Sequence, residues 1–256
     1  MGDYVTLERS DDVMIVRFDR QGALNAFDQK MITELTDTAK LLAEDLTVRS
    51  VVLTGASAAF SSGIDLKDAQ NWDLEAMNDL EIRRRFYRGV RLCQAWEDLP
   101  QITIAAAEGM MVGAGCALGL ACDWRVLARD AYLFVPEVQV GLNLQWGALP
   151  RLMTLVGPAR AKEICLLGEK MSPDQALDWG LVSRLAEPGQ SVEVALGLAQ
   201  RCATNPPIAS AMVKEAVNAI AGALHKVGSY ADADQSQLSG TNQTAAAARR
   251  RFADKK

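Results

Sequence analysis

A run of fourteen uncharged residues that ends at Asp123 is the feature that most restricts how this chain folds. It reads GMMVGAGCALGLACD from Gly109, and the surrounding segment 102–124 adds only one other charge, Glu108. A membrane span needs about 20 apolar residues, so the segment is long enough to be one. It is equally compatible with a buried core element, or with a backbone that its glycines shape to hold a ligand. The segments on either side decide between these three interpretations.

The composition is that of a globular protein with an acidic excess. The chain has 256 residues, of which 49% are hydrophobic and 23% charged, with a net charge of −5 and a pI near 5.1. This acidic balance argues against a broad nucleic-acid surface. The N-terminus lacks a basic segment followed by an apolar one, so we expect no secretory signal and a cytoplasmic protein without a membrane anchor.

The cysteines do not form a metal-binding or redox motif. There are five of them, an odd number, and no pair has CxxC spacing. We therefore expect reduced, structural thiols and no metal site. The residues concerned are Cys93, Cys116, Cys122, Cys165 and Cys202.

Short apolar segments alternate with amphipathic ones, and this alternation predicts an α/β fold. Uniformly apolar strands between helices are typical of mostly parallel sheets that are covered on both faces. The glycine-rich stretch is then buried core rather than a membrane span. The predicted strands lie in residues 13–18, 50–55, 101–109, 124–128 and 131–135.

Capping signals place several helices and suggest how the chain is divided. Asp28 is positioned to cap a helix whose apolar residues recur at every third or fourth position. A long polar helix is predicted over residues 73–99, and a later one begins near Pro207. We found no internal repeat or flexible linker in the sequence. We therefore predict a core at 1–190 with the ligand site, and a C-terminal helical region at 191–256.

Two loops share one design, with small residues and glycine at the end of a buried strand and just before a helix. The first is FSSGIDLK, residues 60–67, and the second is EGMMVGAGC, residues 108–116. Glycine allows a ligand to approach the backbone closely, and a helix start leaves N–H groups free to donate. Two such groups that converge on one point would form an oxyanion hole. Taken separately, the loops are equally compatible with two ordinary tight turns.

Ordered motifs along residues 3–256 resemble the enoyl-CoA hydratase/isomerase (crotonase) family. They are QGALNAF, AFSSGIDLKDA, EGMMVGAGCALGLACDWRVLA, FVPEVQVGL and GPARAKEICLLGEKMSPDQALDWGLVSRL. The resemblance implies a spiral of ββα units with a C-terminal helical trimerisation region, assembled as a homotrimer or a dimer of trimers. It also implies an enzyme that binds acyl-CoA thioesters and stabilises an enolate. Coenzyme A then enters as part of the substrate, and no cofactor is permanently bound.

The resemblance also assigns residues to the site. The two oxyanion donors of the family fall on the backbone N–H groups of Ile64 in SGIDLK and Ala114 in GAG. Alanine replaces a family glycine at position 114, which leaves the N–H group in place. The residues implied to contact the CoA thioester are Ala23, Leu24, Ile64, Asp65, Leu66, Lys67 and Ala114.

One carboxylate that the resemblance leads us to expect is missing. Hydratases of the family carry two glutamates, at positions that correspond here to Ala117 and Glu137. Adding water to a double bond uses paired carboxylates, which deprotonate the water and protonate C2, whereas moving the double bond from C3 to C2 needs one base. We therefore expect an isomerase that converts 3-enoyl-CoA to 2-enoyl-CoA, with Glu137 as its base. The segment CDWRVLA is also similar to that of mitochondrial-type isomerases.

Two other functions stay open. One is a residual hydratase, or a lyase or decarboxylase for an unusual acyl group, in which Asn143 or Gln145 holds a water or a carboxylate. The other is a non-catalytic acyl-CoA binder or assembly subunit, which the loss of the carboxylate at Ala117 would explain. A dehalogenase-type site is not expected, because the family's dehalogenases use a histidine and the only one here, His225, lies in the helical region.

Some side chains have two interpretations at this stage. The arginine cluster 83–91 either reaches the CoA phosphates or forms a solvated helix face. Trp146 either narrows the acyl pocket or belongs to the core. Phe252 and Lys255 match a C-terminal family motif that reaches the CoA site of a neighbouring subunit. The acidic residues expected to be solvated surface are Asp68, Asp73, Glu75 and Asp79.

Overall fold

The computed structural model describes residues 2–68, 71, 74–240 and 243–253, without the side chains of Phe252 and Ala253. Two residues singled out in the sequence, Asp73 and Lys255, therefore lie outside the described residues, as does the side chain of Phe252. Within these ranges, strands alternate with helices up to residue 186, and the elements from residue 191 onward are helices. The predicted α/β class is confirmed.

A six-stranded sheet forms the centre of the fold. Its strands are β1 Val5–Ser10, β2 Val13–Phe18, β3 Ser50–Thr54, β4 Ile102–Ala107, β6 Trp124–Ala128 and β8 Arg184–Ala186. They are arranged in the order β1, β2, β3, β4, β6, β8. β1 pairs antiparallel with β2, and the other neighbours are parallel. Every residue of β3 is buried, as expected for a strand covered on both faces.

A second, two-stranded sheet lies within the glycine-rich stretch. Its parallel strands are β5 Met110–Val112 and β7 Tyr132–Phe134. We expected residues 108–116 to be a loop, and this prediction is wrong for β5. The other edge of β5 is occupied by Ser61, whose N–H group donates to Met110 and whose carbonyl accepts from Val112. Both edges of this short strand are thus paired, which satisfies its backbone groups.

Capping side chains mark the start of several helices. Asp28 accepts a hydrogen bond of 2.7 Å from the amide of Met31, which confirms the predicted cap. The polar helix starts later than residue 73, because Asn78 and Glu81 form a reciprocal capping box. The helices are α1 Gln29–Glu44, α2 Asp79–Glu97, α3 Ala114–Leu120, α4 Ala148–Leu167, α5 Pro173–Asp178, α6 Ser191–Ala203, α7 Pro207–Ala221, α8 His225–Ser229, α9 Asp232–Gly240 and α10 Gln243–Ala253.

The helix α3 forms the centre of the glycine-rich stretch and belongs to the core. All seven of its residues are buried. The stretch is therefore buried core, as the flanking pattern predicted, and its helix follows the strand β5 that was not predicted. No helix in the part of the chain that the structure describes is long and apolar enough to span a membrane. All five cysteines are free, which confirms the expected thiols.

The helices after residue 190 differ in how they are buried. α6 packs on the main sheet through Ala195 and Ala199. In α7 the only buried residue is Lys214, which forms an ion pair of 2.8 Å with Asp123. The same helix also carries exposed apolar residues, and exposed apolar surfaces are typical of regions that other chains cover. The division at residue 190 and the trimeric assembly stay predictions. The exposed apolar residues of α7 are Ile208, Met212, Val213, Val217 and Ile220.

Candidate active site

The two glycine-containing loops lie side by side. They follow β3 and β4, which are parallel neighbours, so both loops leave the same edge of the sheet. The N–H group of Phe60 donates to the carbonyl of Glu108 at 2.9 Å. The N–H group of Ser61 donates to Met110 at 3.0 Å, and that of Val112 donates to Ser61 at 2.9 Å. These bonds fix the first loop against the second.

The amides of Ile64 and Ala114 lie next to this contact. At Gly63, where φ is +93°, a Cβ atom would lie 3.2 Å from the carbonyl oxygen of Val112 and 3.7 Å from the nitrogen of Ala114. Gly113, with φ of +51°, precedes α3, so the N–H group of Ala114 has no acceptor within the helix. Neither amide donates to any group in the described ranges. Two free donors thus lie on neighbouring loops.

Glu137 is placed against the second loop by a short 3-10 turn, Glu137–Val140, that follows β7. Its Oε1 atom would lie 2.7 Å from a Cβ atom at Gly113. Its Oε2 atom is buried and has no hydrogen-bond partner among the described residues. Burial raises the pKa of Glu137 to about 7, because the charged form loses its hydration. A carboxyl group with a pKa near neutrality can both take and return a proton.

One cavity brings these groups together with Ala117. It is lined by Glu137, Ile64, Ala114 and Ala117, so that a methyl group stands where the resemblance places the second glutamate of hydratases. Glu137 is the only acidic residue in the lining, as far as the structure describes the chain. The apolar walls are formed by Ile32, Phe86, Leu142, Leu144 and Trp146. The polar groups of the lining are Gln29, Asn71, Arg85, Asn143, Gln145 and Ser236.

The ALN motif lies against the first loop. Ala23 and Leu24 have φ values of +48° and +49°, in the left-handed region. The N–H group of Ser62 donates to the carbonyl of Leu24 at 3.0 Å. Leu24 is 51% exposed, so an apolar side chain stands at the surface beside this loop. On the same loop Leu66 is half-buried and Lys67 is exposed.

The sequence is similar to proteins of one known family along most of its length. The family model for enoyl-CoA hydratase/isomerase matches residues 8–256. The chain belongs to the enoyl-CoA hydratase/isomerase family. The short-chain-enoyl-CoA hydratase of Clostridium acetobutylicum is 31% identical over 215 residues, which are 84% of this chain and 80% of that relative. The 1,2-epoxyphenylacetyl-CoA isomerase of Escherichia coli is 31% identical over 219 residues, 85% and 83% of the two chains.

A solved structure supports the same assignment. The crystal structure of the enoyl-CoA hydratase from Bacillus anthracis superposes with a TM-score of 0.78 at 31% identity, covering 84% of this chain and 82% of that one. Family membership confirms the resemblance, the crotonase fold and the class of acyl-CoA enzyme. Both hydratases and an isomerase are among the similar proteins, so their names do not distinguish the two reactions.

Arg20 and Asn25, which were not predicted from the sequence, hold the ALN motif and the first loop of this hydratase/isomerase-family chain in place. Arg20 forms ion pairs with Asp28 at 3.1 Å and with Asp65 at 2.6 Å. Burial alone would raise the pKa of Asp65, but the hydrogen bond from Arg20 lowers it below its ordinary value. The buried amide of Asn25 donates to a carbonyl of β2 and to one of the first loop, both at 2.9 Å. A polar residue inside the apolar motif GALNAF was the available signal.

The arginines of the cluster 83–91 have different contacts and do not act as one group. Arg83 pairs with Asp234 on α9 at 2.7 Å. Arg88 donates to Gln29 on α1 at 2.7 Å and is partly buried, so it is not part of a solvated face. Arg85 lines the cavity. Binding of CoA phosphates by this cluster stays a prediction.

Several titratable side chains lie outside the cavity lining. His225 is 3.2 Å from Thr154 and 3.6 Å from Glu97, between α2, α4 and α8. Burial lowers the pKa of His225 below its ordinary value. No metal-binding group of three or more His, Cys, Asp or Glu side chains occurs in the ranges described. The described acids of the polar segment that do not line the cavity are Asp68, Glu75 and Asp79.

Proposed function

We propose that this chain is an acyl-CoA isomerase that converts 3-enoyl-CoA to 2-enoyl-CoA with Glu137 as its single base. The observation that carries the proposal is the cavity lining. Within the described residues it contains one carboxylate, with Ala117 where the second would be. A single base suffices for isomerisation, because the same carboxylate takes a proton from C2 and returns it to C4. Hydration would require a further group that holds the water.

In the proposed reaction, the carboxylate of Glu137 removes the C2 proton. The electron pair of the broken C–H bond moves toward C1, and the negative charge develops on the thioester oxygen. The protonated Glu137 then gives the proton to C4, and the double bond shifts from between C3 and C4 to between C2 and C3. No atom is gained or lost. A base pKa of about 7 suits both transfers, since each needs a ready change of protonation state.

The N–H groups of Ile64 and Ala114 are proposed to donate to the developing enolate oxygen. Their positions on neighbouring loops and the absence of other acceptors in the described ranges support this role. Fixed donors of this type stabilise the charged intermediate without reorganising, and each contributes about 3 kcal/mol. The oxyanion site would thus lower the barrier to forming the enolate, while Glu137 moves the proton.

The CoA part of the substrate is proposed to lie along the ALN motif and the loop that follows the first oxyanion donor. Ala23 and Leu24 form an exposed turn against that loop. Lys67 is an exposed cation on that loop, suited to a phosphate group. Asp65 is paired with Arg20, so its proposed role is to hold the loop rather than to contact the ligand directly. Leu66 would add an apolar contact.

A hydratase is the second candidate, because the relative from Clostridium acetobutylicum bears that name. Asn143 and Gln145 line the same cavity as Glu137. In this reaction an amide side chain would hold the water and Glu137 would take a proton from it. The hydroxide would add to C3, and Glu137 would give the same proton to C2. The two candidates therefore share the base and differ in whether the cavity holds a reactive water.

The decisive experiment compares wild type with Ala117→Glu on matched thioesters. We expect wild type to convert 3-enoyl-CoA to the conjugated thioester, followed by its ultraviolet absorbance, and to hydrate 2-enoyl-CoA about 100-fold more slowly. Restoring the second carboxylate should increase hydration by at least about tenfold, since water can then be held and deprotonated. The like charge beside Glu137 should also raise the apparent pKa of the pair.

The matched control is Ala117→Gln, which has the same size without the charge. It should gain no hydration, and any loss of isomerisation that is due to added bulk alone should be equal in Ala117→Gln and Ala117→Glu. Wild type that hydrates faster than it isomerises would favour the hydratase. Wild type with neither activity that still binds acyl-CoA tightly would favour a non-catalytic binder.

The pH dependence should report the titration of Glu137. The base works in its deprotonated form, and burial raises its pKa to about 7. The value of kcat/KM for isomerisation should therefore fall about tenfold per pH unit below pH 7 and level off above it. Burial also raises the pKa of Asp232 to about 6, so Asp232→Asn is the control. The assignment to Glu137 would be contradicted by a pH profile of kcat/KM that loses its midpoint in Asp232→Asn. It would also be contradicted by a midpoint near pH 4.5.

A further inference from the structure

The indole of Trp146 forms part of the cavity wall and lies directly on α2. The indole has room against α2 because residue 89 is glycine. A Cβ atom at Gly89 would overlap with indole atoms Cε2 and Nε1. On the other side, the buried ring of Phe27 meets the indole edge-on, with ring centroids 5.7 Å apart and an interplanar angle of 89°. Helix backbone and a buried ring therefore fix the position of the indole.

The backbone at Trp146 is also fixed, in a conformation that bulky residues rarely adopt. Its φ is +62°, in the left-handed region. Its carbonyl accepts from Arg151 at 3.0 Å, and Arg151 is itself buried and bonded twice to Glu97, at 2.9 and 2.7 Å. The next amide, that of Gly147, donates to Asp232 at 2.8 Å. Strained conformations persist where surrounding contacts fix them, and they are concentrated at functional sites.

We propose that Trp146 sets the length of the acyl chain that this site accepts and restricts it to short acyl groups. The inference rests on the proposed acyl-CoA function. The cavity shared by Glu137 and Trp146 has a volume of about 90 Å³. Because this is room for only a few water molecules, a short acyl group fills it. The indole blocks extension toward Gly89 and Phe27.

The inference predicts how affinity depends on chain length. Each methylene group that becomes buried increases affinity about fourfold, whereas a methylene group without room gains nothing. We expect the affinity of wild type to increase from butanoyl-CoA to hexanoyl-CoA and then to stay level for octanoyl-CoA and decanoyl-CoA. Trp146→Gly removes the indole and accepts a positive φ. It should bind octanoyl-CoA at least about tenfold more tightly than wild type does, since two or more methylene groups gain space.

The measurement is the Kd of each saturated thioester by titration calorimetry. Saturated thioesters bind without reacting, so the result does not depend on which reaction the enzyme catalyses. Trp146→Asn is a second variant, because asparagine also tolerates the left-handed region. The matched control is Trp179→Ala. Its indole contacts Arg160 at 4.9 Å and does not line the cavity, so its chain-length profile should equal that of wild type.

A double-mutant cycle tests the contact between Trp146 and Gly89 itself. Gly89→Ala should push the indole into the cavity and weaken butanoyl-CoA binding about tenfold, because contacting residues are coupled. The same change in the Trp146→Gly protein should have little effect, since the indole is gone. Additive effects would overturn the inference.

Two further outcomes separate this inference from the function on which it rests. Folded Trp146→Gly and Trp146→Asn proteins that keep the wild-type order of chain lengths would overturn the role of Trp146 alone. Wild type that binds no acyl-CoA of any length would overturn both the proposed function and this inference.

Discussion

Glu137→Gln is expected to reduce the isomerisation of 3-enoyl-CoA about a thousandfold, within the range for the loss of a general base. Glutamine has nearly the same shape, but its amide cannot take a proton from C2. The cavity should keep its form, so the Kd of a saturated acyl-CoA should change by less than about threefold. Single-turnover rates and calorimetric titration measure the two effects separately.

The control for this prediction is Glu163→Gln on the exposed surface of α4. It makes the same chemical change away from the cavity, and we expect full activity. Activity of Glu137→Gln within tenfold of wild type would exclude Glu137 as the base. Loss of acyl-CoA binding together with activity would instead indicate a role in shaping the cavity.

Gly113→Ala is expected to lower kcat at least about a hundredfold, which corresponds to the loss of one oxyanion donor. The residue has φ of +51° and ψ of −111°, a combination that side chains of L-residues disfavour. The new Cβ atom would lie 2.7 Å from Oε1 of Glu137 and 3.8 Å from Cα of Gly63. The turn that positions the Ala114 amide and the base beside it would therefore both be displaced. Steady-state kinetics on 3-enoyl-CoA measure the loss.

Gly157→Ala separates backbone strain from damage to the site. Gly157 also has a positive φ, of +77°, but a Cβ atom there meets nothing within 4 Å, and it lies outside the cavity lining. Both substitutions should lower the free energy of unfolding by about 1–3 kcal/mol through strain. Only Gly113→Ala should lose kcat. Equal losses of activity in both variants would show that strain alone explains the effect.

The local pattern of the sequence was sufficient for the elements that carry a strong signal of their own. Val13–Phe18 is a strand in both the prediction and the structure, because its apolar run is the length of a buried strand. Asp28 begins a helix because its side chain caps the amide of a residue three positions later. The start of α2 and the strand β5 were not found. The capping box at Asn78 lay inside a segment predicted to be helical from residue 73, and β5 is a strand because other segments pair with both of its edges.

The candidate residues Ile64, Ala114, Ala117 and Glu137 come from the sequence alone, through the resemblance of its motifs to the crotonase family, which implies a role for each of these positions. That Glu137 has a buried carboxylate oxygen without a partner among the described residues, and a pKa that burial raises to about 7, is decided by the tertiary structure. So are the contacts of Trp146 with Gly89 and of Arg20 with Asp65. The physical reason is the same in each case. Desolvation, ion pairing and steric exclusion depend on which distant segments meet, and the local pattern of a segment does not contain its neighbours in space.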